Sequence, residues 1–168
     1  FLSRADMGAV KMETLPVGLE SLVEDIHRQA TLLGQDRNIA VTLGTVMPAV
    51  VQGDELRLRE LLLNLVENAI KYSHPNGKVE ISLVTDGPNA RLSVADQGIG
   101  IAPDDQARIF HRFYRTDDAR AHTKKGTGLG LAICTWIADS HKGRIDVTSE
   151  PGVGSTFTVT LPLAAPSA

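Results

Sequence analysis

One stretch constrains this chain more than any other: Asp54 to Tyr72 reads as a single long helix, rich in leucine, with Asp54 as its N-cap candidate. Its polar residues are aligned. At about 100° per residue, Glu60, Asn64, Glu67, Asn68 and Lys71 fall within an arc of roughly 100° on one face. A solvated face is the plain explanation of such an arc. A wet face, however, normally carries Glu, Lys, Arg and Gln. Asparagine costs roughly 0.5–0.7 kcal/mol relative to alanine in a helix interior, and here Asn64 and Asn68 stand one turn apart. Short amides beside a lysine suit a metal and phosphates. An Asn carbonyl is a hard oxygen ligand of the kind Mg²⁺ takes, and Lys71 adds a point charge.

The rest of the chain supplies partners for that helix. Pro16 suits the first position of a helix running from Val17 to about Gln35, where Leu19, Leu22, Val23, Ile26, Ala30 and Leu33 recur at helical spacing. Short strand-like runs follow at Ile39–Leu43 and Ala49–Val51. After the turn His74-Pro75-Asn76-Gly77 come two alternating strands, Lys78–Thr85 and Ala90–Ala95, joined by Asp86-Gly87-Pro88-Asn89. Asp96 to Thr127 is mostly glycine, charge and short helical pieces. A helix resumes from about Leu129 to Ser140, and Arg144–Ser149 with Ser155–Leu161 read as a closing hairpin. Helices alternating with antiparallel hairpins predict an α+β fold, a two-layer α/β sandwich with helices on one face of a mixed, mostly antiparallel sheet. At 168 residues the chain is long enough for one self-sufficient core.

Bulk properties remove several functional classes. A formal charge of -3 argues against a nucleic-acid binder. The one cysteine, Cys134, excludes an internal disulfide and a cysteine zinc site, and its apolar helical setting predicts a buried, inert thiol. No apolar run approaches the eighteen or so residues that cross a bilayer, so cytosolic chemistry is the default. His27, His74, His111, His122 and His141 lack the spacing of zinc helices; His27 reads as a surface residue and Trp136 as core. The opening Phe1-Leu2-Ser3-Arg4, without an initiator Met, reads as part of something longer, and the Ala-Ala-Pro-Ser-Ala tail reads as disordered.

Three further segments carry chemistry. Val94-Ala95-Asp96-Gln97-Gly98-Ile99-Gly100 ends a strand in a carboxylate and two close glycines. An ordinary glycine turn with a capping Asp explains it on spacing alone. The alternative is adenine recognition, in which a buried carboxylate accepts a hydrogen bond from the exocyclic amine and glycine lets the backbone approach the base. Lys124-Lys125-Gly126-Thr127-Gly128-Leu129-Gly130-Leu131 presents backbone N–H groups and a helix N-terminus to an anion; it is not a Walker A loop, because no Gly-Lys-Ser/Thr follows at the required spacing. Gly152-Val153-Gly154-Ser155-Thr156-Phe157 is explained equally well as a plain hairpin turn.

Taken together these segments resemble sensor histidine kinases. Arg57 to Ser73 resembles that family's N box almost position by position, Asp96–Gly100 its G1 box, Ile109–Arg115 its F box, Lys124–Ile133 its G2 box and Gly152–Phe157 its closing glycine box, all in family order. The resemblance implies a Bergerat-type ATP-binding fold with a mobile lid over Arg115–Lys125. It implies that Asn68 holds Mg²⁺, that Asn64 lines the same site, and that Lys71 and Tyr72 contact phosphates and the sugar and base region. It assigns Asp96, with Gly98, Ile99 and Gly100, to adenine. Arg112 and Arg115 are assigned to phosphate or the partner helix, although Phe110 and Phe113 read as a core patch under a loop. Lys125, Gly126, Thr127, Gly128, Leu129, Gly130 and Leu131 are assigned to the triphosphate, and Thr156 to the neighbourhood of Asp96 and adenine. Glu67 is assigned to solvent, with a polar assisting role as the alternative. Superfamily members that hydrolyse ATP carry a Glu general base where Asn64 stands, which tilts the reading toward phosphoryl transfer.

The implied activity is donation of the ATP γ-phosphoryl group, with Mg²⁺, to a histidine on a dimerisation domain outside this chain, for relay to a response-regulator receiver domain. Residues 1–15 are then the end of the dimerising hairpin and its linker, 16–163 the catalytic domain and 164–168 a tail. The parent is expected to be a homodimeric membrane sensor with this part in the cytoplasm, without direct membrane contact. The chain alone is expected to bind ATP and barely turn it over. An anti-sigma-type serine kinase shares the boxes, but a Glu at position 64 would have favoured it. A nucleotide-sensing module without catalytic duty would show degraded boxes, and these are intact.

Overall fold

The computed structural model describes residues 11–111, 114–115 and 130–165. In chain order these form β1 (Leu15–Gly18), α1 (Leu19–Gln35), β2 (Ala40–Val46), β3 (Val50–Gly53), α2 (Glu55–Tyr72), β4 (Lys78–Asp86), β5 (Asn89–Asp96), a 3₁₀ turn (Arg108–Phe110), α3 (Gly130–Ser140), β6 (Arg144–Glu150) and β7 (Gly154–Pro162). Five strands make one sheet in the order β2-β4-β5-β7-β6, and β1 and β3 make a separate two-stranded ribbon. Only the β2–β4 pair of the large sheet is parallel; the other three neighbours are antiparallel. The mixed sheet and helical layer match the α/β sandwich that the sequence predicts.

Period-two burial explains why one face is covered. Val79, Ile81 and Leu83 of β4, Ala90, Leu92 and Val94 of β5, and Phe157, Val159 and Leu161 of β7 are all buried. Their neighbours Glu80, Arg91 and Thr158 remain exposed or half-exposed on the opposite face. Over the apolar face lie Leu22, Val23 and Ile26 of α1, Leu58, Leu61, Leu62, Leu65 and Val66 of α2, and Cys134 and Ile137 of α3, in one continuous core. Leu62 is fully buried. Replacing it with Ala is expected to cost about 2–5 kcal/mol, from the lost transfer energy and the cavity left behind. Urea unfolding measures this, and a loss below about 1 kcal/mol would contradict the packing described.

The first helix starts later than the sequence suggests. Pro16 lies in β1, paired with Gln52, and α1 begins at Leu19. A two-stranded ribbon leaves one edge of each strand unpaired, so the missing proline N–H costs nothing there either. No side chain caps α1; instead the Leu19 N–H donates to the Ala49 carbonyl at 2.8 Å, and Glu20 accepts from the Ala49 N–H. The helix α2 is capped as expected, with Asp54 accepting from the Arg57 N–H. Asp54 also accepts from the Glu13 N–H, at 3.1 Å.

Two side chains set aside as unremarkable have structural duties. His141 is buried and ties the end of α3 to the start of α2. Its Nδ1 donates to the Ile137 carbonyl at 2.7 Å, which leaves Nε2 to accept from the Asp54 N–H at 3.0 Å and fixes the neutral tautomer. His27 is half-buried rather than on the surface and donates through Nε2 to the Val41 carbonyl. Trp136 is half-buried, packs against the core, and lies 6.0 Å from the Arg57 guanidinium. Cys134 is inert as expected: burial raises its thiol far above the usual range, and the S–H donates to the Leu61 carbonyl.

Candidate nucleotide site

The site grows from the unburied edge of α2. Packing turns its leucines into the core, so Asn64, Asn68 and Lys71 are left half-buried at the margin and Glu67 exposed. The Lys71 ammonium lies 5.2 Å from the centre of the Tyr72 ring. Opposite, β5 ends at Asp96, because the chain turns there toward the end of α2. Ser73 and Gly98 form an isolated bridge, the Ile99 N–H donates to the Tyr72 carbonyl and the His74 N–H to the Gln97 carbonyl.

The closing hairpin locks the loop from its other side. The Gly152 N–H donates to the Ile99 carbonyl at 2.7 Å, and the Ile101 N–H to Ser149 Oγ at 2.8 Å. His74 Nε2 bonds the Gly152 carbonyl. Gly100 adopts φ +69°, and a Cβ there would stand 2.2 Å from the Glu150 carbonyl oxygen, so only glycine fits the approach.

Asp96 is the electrostatic centre of this arrangement. Burial pushes its carboxyl up to about 6, against the opposing pull of the Ser155 and Gly98 backbone N–H groups and of His74. The Ser155 N–H reaches Oδ1 at 3.2 Å. A carboxylate held partly out of water, with one oxygen fixed by backbone donors, is a strong acceptor for an N–H of a planar ligand.

Between the α2 margin and this loop lies a cavity of about 360 Å³. Asn64, Glu67, Asn68, Lys71 and Tyr72 form one wall; Asp96, Ile99, Gly100 and Ile101 form another. Ile109, Tyr114, Arg115, Gly130, Leu131, Ser155 and Phe157 complete the lining. Arg115 Nη2 donates to the Tyr72 hydroxyl at 3.4 Å, and the Tyr114 hydroxyl donates to Asp105. Phe110 is half-buried and meets Phe157 edge to face at 6.1 Å, consistent with a packing role. The N-terminus of α3 begins at Gly130, so the first backbone N–H groups of that helix lie at the cavity.

The structure thus brings together Asn64, Asn68, Lys71, Tyr72, Asp96, Ile99, Gly100, Arg115, Gly130 and Leu131 from four separate segments. Gly98 is buried behind Asp96 and contributes its backbone N–H. Thr156 is different. It pairs with Ala95, and the strand's alternation sends Ser155 and Phe157 to the cavity face instead. Glu60, at the start of the polar stripe, stands outside the lining beside Arg57. Arg112, Lys125, Gly126, Thr127, Gly128 and Leu129 lie outside the described residues. The sequence reading missed Ile101, Ile109, Tyr114, Ser155 and Phe157. Period-two alternation links Ser155 to Phe157 in advance, but not to the cavity face, which depends on the pairing of Asp96 with Ser155.

The donor set bears on a metal. Among the described residues no group of three or more His, Cys, Asp or Glu is placed to hold an ion. Two amide oxygens on one wall are too few for a protein-made cage. They fit Mg²⁺, which keeps several waters and completes its shell with phosphate oxygens.

Comparison with known proteins gives a consistent answer. Residues 53–165 match the family described as histidine kinase-, DNA gyrase B-, and HSP90-like ATPase. The sensor-like histidine kinase SenX3 of Mycolicibacterium smegmatis is 43% identical over 157 residues, 92% of this chain. The chain spans 41% of that protein's length. Among solved structures, the mycobacterial sensor histidine kinase MprB superposes with a TM-score of 0.81 at 31% identity, covering 90% of this chain and 100% of that one. Full-length ShkA in complex with AMPPNP gives 0.84 at 33% identity, covering 99% of this chain and 34% of that one.

Proposed function

The chain belongs to the histidine kinase-, DNA gyrase B- and HSP90-like ATPase family, among the catalytic domains of sensor histidine kinases, and on that premise we propose that it binds ATP with Mg²⁺ and donates the γ-phosphoryl group to a histidine elsewhere in its parent protein. One observation carries the reading. The Asn64 and Asn68 amides share a cavity with the half-buried Asp96 carboxylate, which pairs a phosphate end with an adenine end. The ShkA relative, which binds AMPPNP, supports the same class of ligand.

In this reading Asp96 accepts the exocyclic adenine N–H, while Ile99, Ile101, Ile109, Leu131 and Phe157 pack on the base and exclude water. Lys71 and the first N–H groups of α3 attract the phosphates. Asn68 would hold Mg²⁺, with Asn64 beside it, and the ion would neutralise charge on the phosphate oxygens. In the transfer the bond from the γ-phosphorus to the β,γ-bridging oxygen breaks, a phosphorus–nitrogen bond to the histidine forms, and ADP leaves. The chain's residues contribute positioning and charge neutralisation rather than a covalent step. Asn64 stands where a hydrolytic relative would need a general base, and an amide cannot take a proton from water.

The remaining parts of the proposal concern the parent. Residues 1–15 are the end of a dimerising hairpin that presents the histidine and the linker from it, 16–163 form the catalytic unit, and 164–168 are a tail. The parent is a homodimeric membrane sensor that passes its phosphoryl group to a response-regulator receiver domain, with this unit in the cytoplasm. Among the described residues no helix is long and apolar enough to cross a membrane.

The test is to mix this chain with the parent's separately produced histidine hairpin, Mg²⁺ and γ-labelled ATP. Acid-labile label on the hairpin, with none on this chain alone, is expected. Acid-stable label on a serine would favour the anti-sigma-type reading, and histidine label on this chain alone would overturn the proposal. Asn68→Ala is expected to weaken Mg·ATP binding roughly tenfold or more while leaving adenosine binding unchanged. Calorimetry with and without Mg²⁺ reads this, and equal Mg·ATP affinity in the variant would remove Asn68 from the metal site.

A further inference from the structure

Arg37 stands in the turn after α1 and belongs to none of the motifs, yet its guanidinium closes the last turn of α2. Nη1 donates to the Ile70 carbonyl at 2.6 Å and the Lys71 carbonyl at 2.5 Å, and Nη2 donates to the Ser73 carbonyl at 3.3 Å. A helix leaves its last four carbonyls without helical partners. The usual remedy is a left-handed glycine after the helix, but here the cap is Ser73 in an extended conformation, φ -68° and ψ 148°. Arg37 donates to these carbonyls from a distant part of the chain, at Ile70 in addition to the Ser73 N–H at 3.4 Å, and places a cation at the negative end of the helix dipole. The Tyr72 carbonyl, between them, accepts from the Ile99 N–H. Every carbonyl from Ile70 to Ser73 is therefore engaged from outside the helix, three by Arg37 and one by the loop beside Asp96.

A second set of contacts points the same way. Asn38 Nδ2 donates to Asn76 Oδ1 at 3.1 Å, and the Ala40 N–H to the Gly77 carbonyl at 3.2 Å. Both asparagines have positive φ, 58° and 64°, so each marks a tight turn. The turn after α1 thus grips both the end of α2 and the turn that follows it. The residues in that grip, Lys71 and Tyr72, line the cavity.

We propose that Arg37 is a positioning residue for nucleotide, holding the final turn of α2 so that Lys71 and Tyr72 face the bound phosphates and sugar. The assignment rests on the nucleotide reading above. Without Arg37 the last turn keeps its bonds from Ile99 and Ser73 but loses three donors, and the backbone from which Lys71 projects is held less firmly. The adenine end touches that turn through the Ser73–Gly98 bridge and the Ile99 N–H to Tyr72 bond, but β5, β7 and the closing hairpin also anchor it, so it is disturbed less.

The test measures ADP and adenosine affinity by calorimetry for the wild-type chain, Arg37→Ala and Arg37→Lys, at a temperature where circular dichroism shows each to be folded. ADP affinity is expected to fall about tenfold in Arg37→Ala and much less in Arg37→Lys, with a clearly smaller loss for adenosine, which lacks the phosphates that Lys71 meets. Amide exchange at residues 71–74 is expected to quicken in Arg37→Ala. A lowered melting temperature with unchanged ADP affinity, or equal losses for ADP and adenosine, would reduce Arg37 to a structural cap and overturn the proposal. Should Arg37→Ala fail to fold, Arg37→Gln takes its place under the same criteria. Failure of the wild-type chain to bind ADP would overturn the nucleotide reading and this proposal together, whereas wild-type binding that is indifferent to Arg37 overturns this proposal alone.

Discussion

Asp96→Asn is expected to make the empty protein more stable while removing nucleotide binding. The carboxyl sits at about 6 instead of 3.8, so the folded state holds this proton more tightly than the unfolded chain does. Below about pH 4 both states are protonated and the group is neutral in its effect. As the pH rises through 6 the buried group ionises, and the folded state carries the cost of a partly desolvated charge. A shift of about two units corresponds to roughly 3 kcal/mol at ~1.4 kcal/mol per unit, and water in the cavity reduces it. Asparagine should recover about 1–3 kcal/mol at pH 8, with the gain fading as the pH falls from 6 toward 4.

The same substitution reverses the hydrogen-bonding sense of the group. The Ser155 N–H fixes an oxygen at the Oδ1 position, so the amide nitrogen must take the Oδ2 position, where it presents a donor to a donor of adenine. Losing a charged hydrogen bond and gaining that conflict should lower ATP affinity roughly 100-fold. Urea unfolding at pH 5 and pH 8, with ATP titration at pH 8, checks both halves. A variant that binds ATP normally would remove Asp96 from the adenine site, and one no more stable than wild type at pH 8 would show that burial is not what holds the carboxyl near 6. Wild-type ATP binding should itself weaken as the pH drops below about 6, because the ionised carboxylate is the better acceptor.

Gly98→Ala should damage stability and binding together. A Cβ at this position would stand 2.3 Å from the Tyr72 carbonyl oxygen and 2.9 Å from Asp96 Oδ1. Both atoms are fixed, the first by the end of α2 and the second by its bond from Ser155. The loop must move, and the Ser73–Gly98 bridge and the Ile99 to Tyr72 hydrogen bond move with it. Overpacking of this kind costs about 1–3 kcal/mol or more, which lowers the melting temperature by roughly 3–10 °C in a chain of this size. Adenine recognition should fall with it, since Asp96 and Ile99 are displaced. Gly87→Ala is the control: φ is +58° there but nothing lies within 4 Å of the added carbon. It should cost only about 1 kcal/mol and leave ATP binding intact. Equal effects from the two substitutions would mean that the contact with Tyr72 is not the cause.

Much of the candidate site is legible in the amino-acid sequence. Asn64, Asn68 and Lys71 announce themselves because helical periodicity aligns them and asparagine is a poor helix former, so a pair of them on a leucine-rich helix calls for a chemical reason. Asp96 announces itself by ending an alternating strand before two glycines. Thr156 falls outside the cavity lining, because a strand's period tells which residues share a face but not which face meets the cavity, and the pairing of Asp96 with Ser155 turns Ser155 toward it. Pro16 was misassigned because a helix start and a ribbon edge both tolerate a residue without an N–H.

What the sequence determined by itself is therefore local: helices and strands with their apolar faces, the polar stripe of α2, and the residue types suited to ATP and Mg²⁺. Only the tertiary structure decided which of these meet. Asp96 becomes a perturbed acid because α2, β7 and the closing hairpin converge around it and hold it partly out of water. Arg37 acquires a role because the turn after α1 folds back on the end of α2, bringing a guanidinium within 2.6 Å of the carbonyl of Ile70, more than thirty residues away. Burial and hydrogen bonding between distant segments depend on the packed geometry of the whole chain, and no local pattern encodes them.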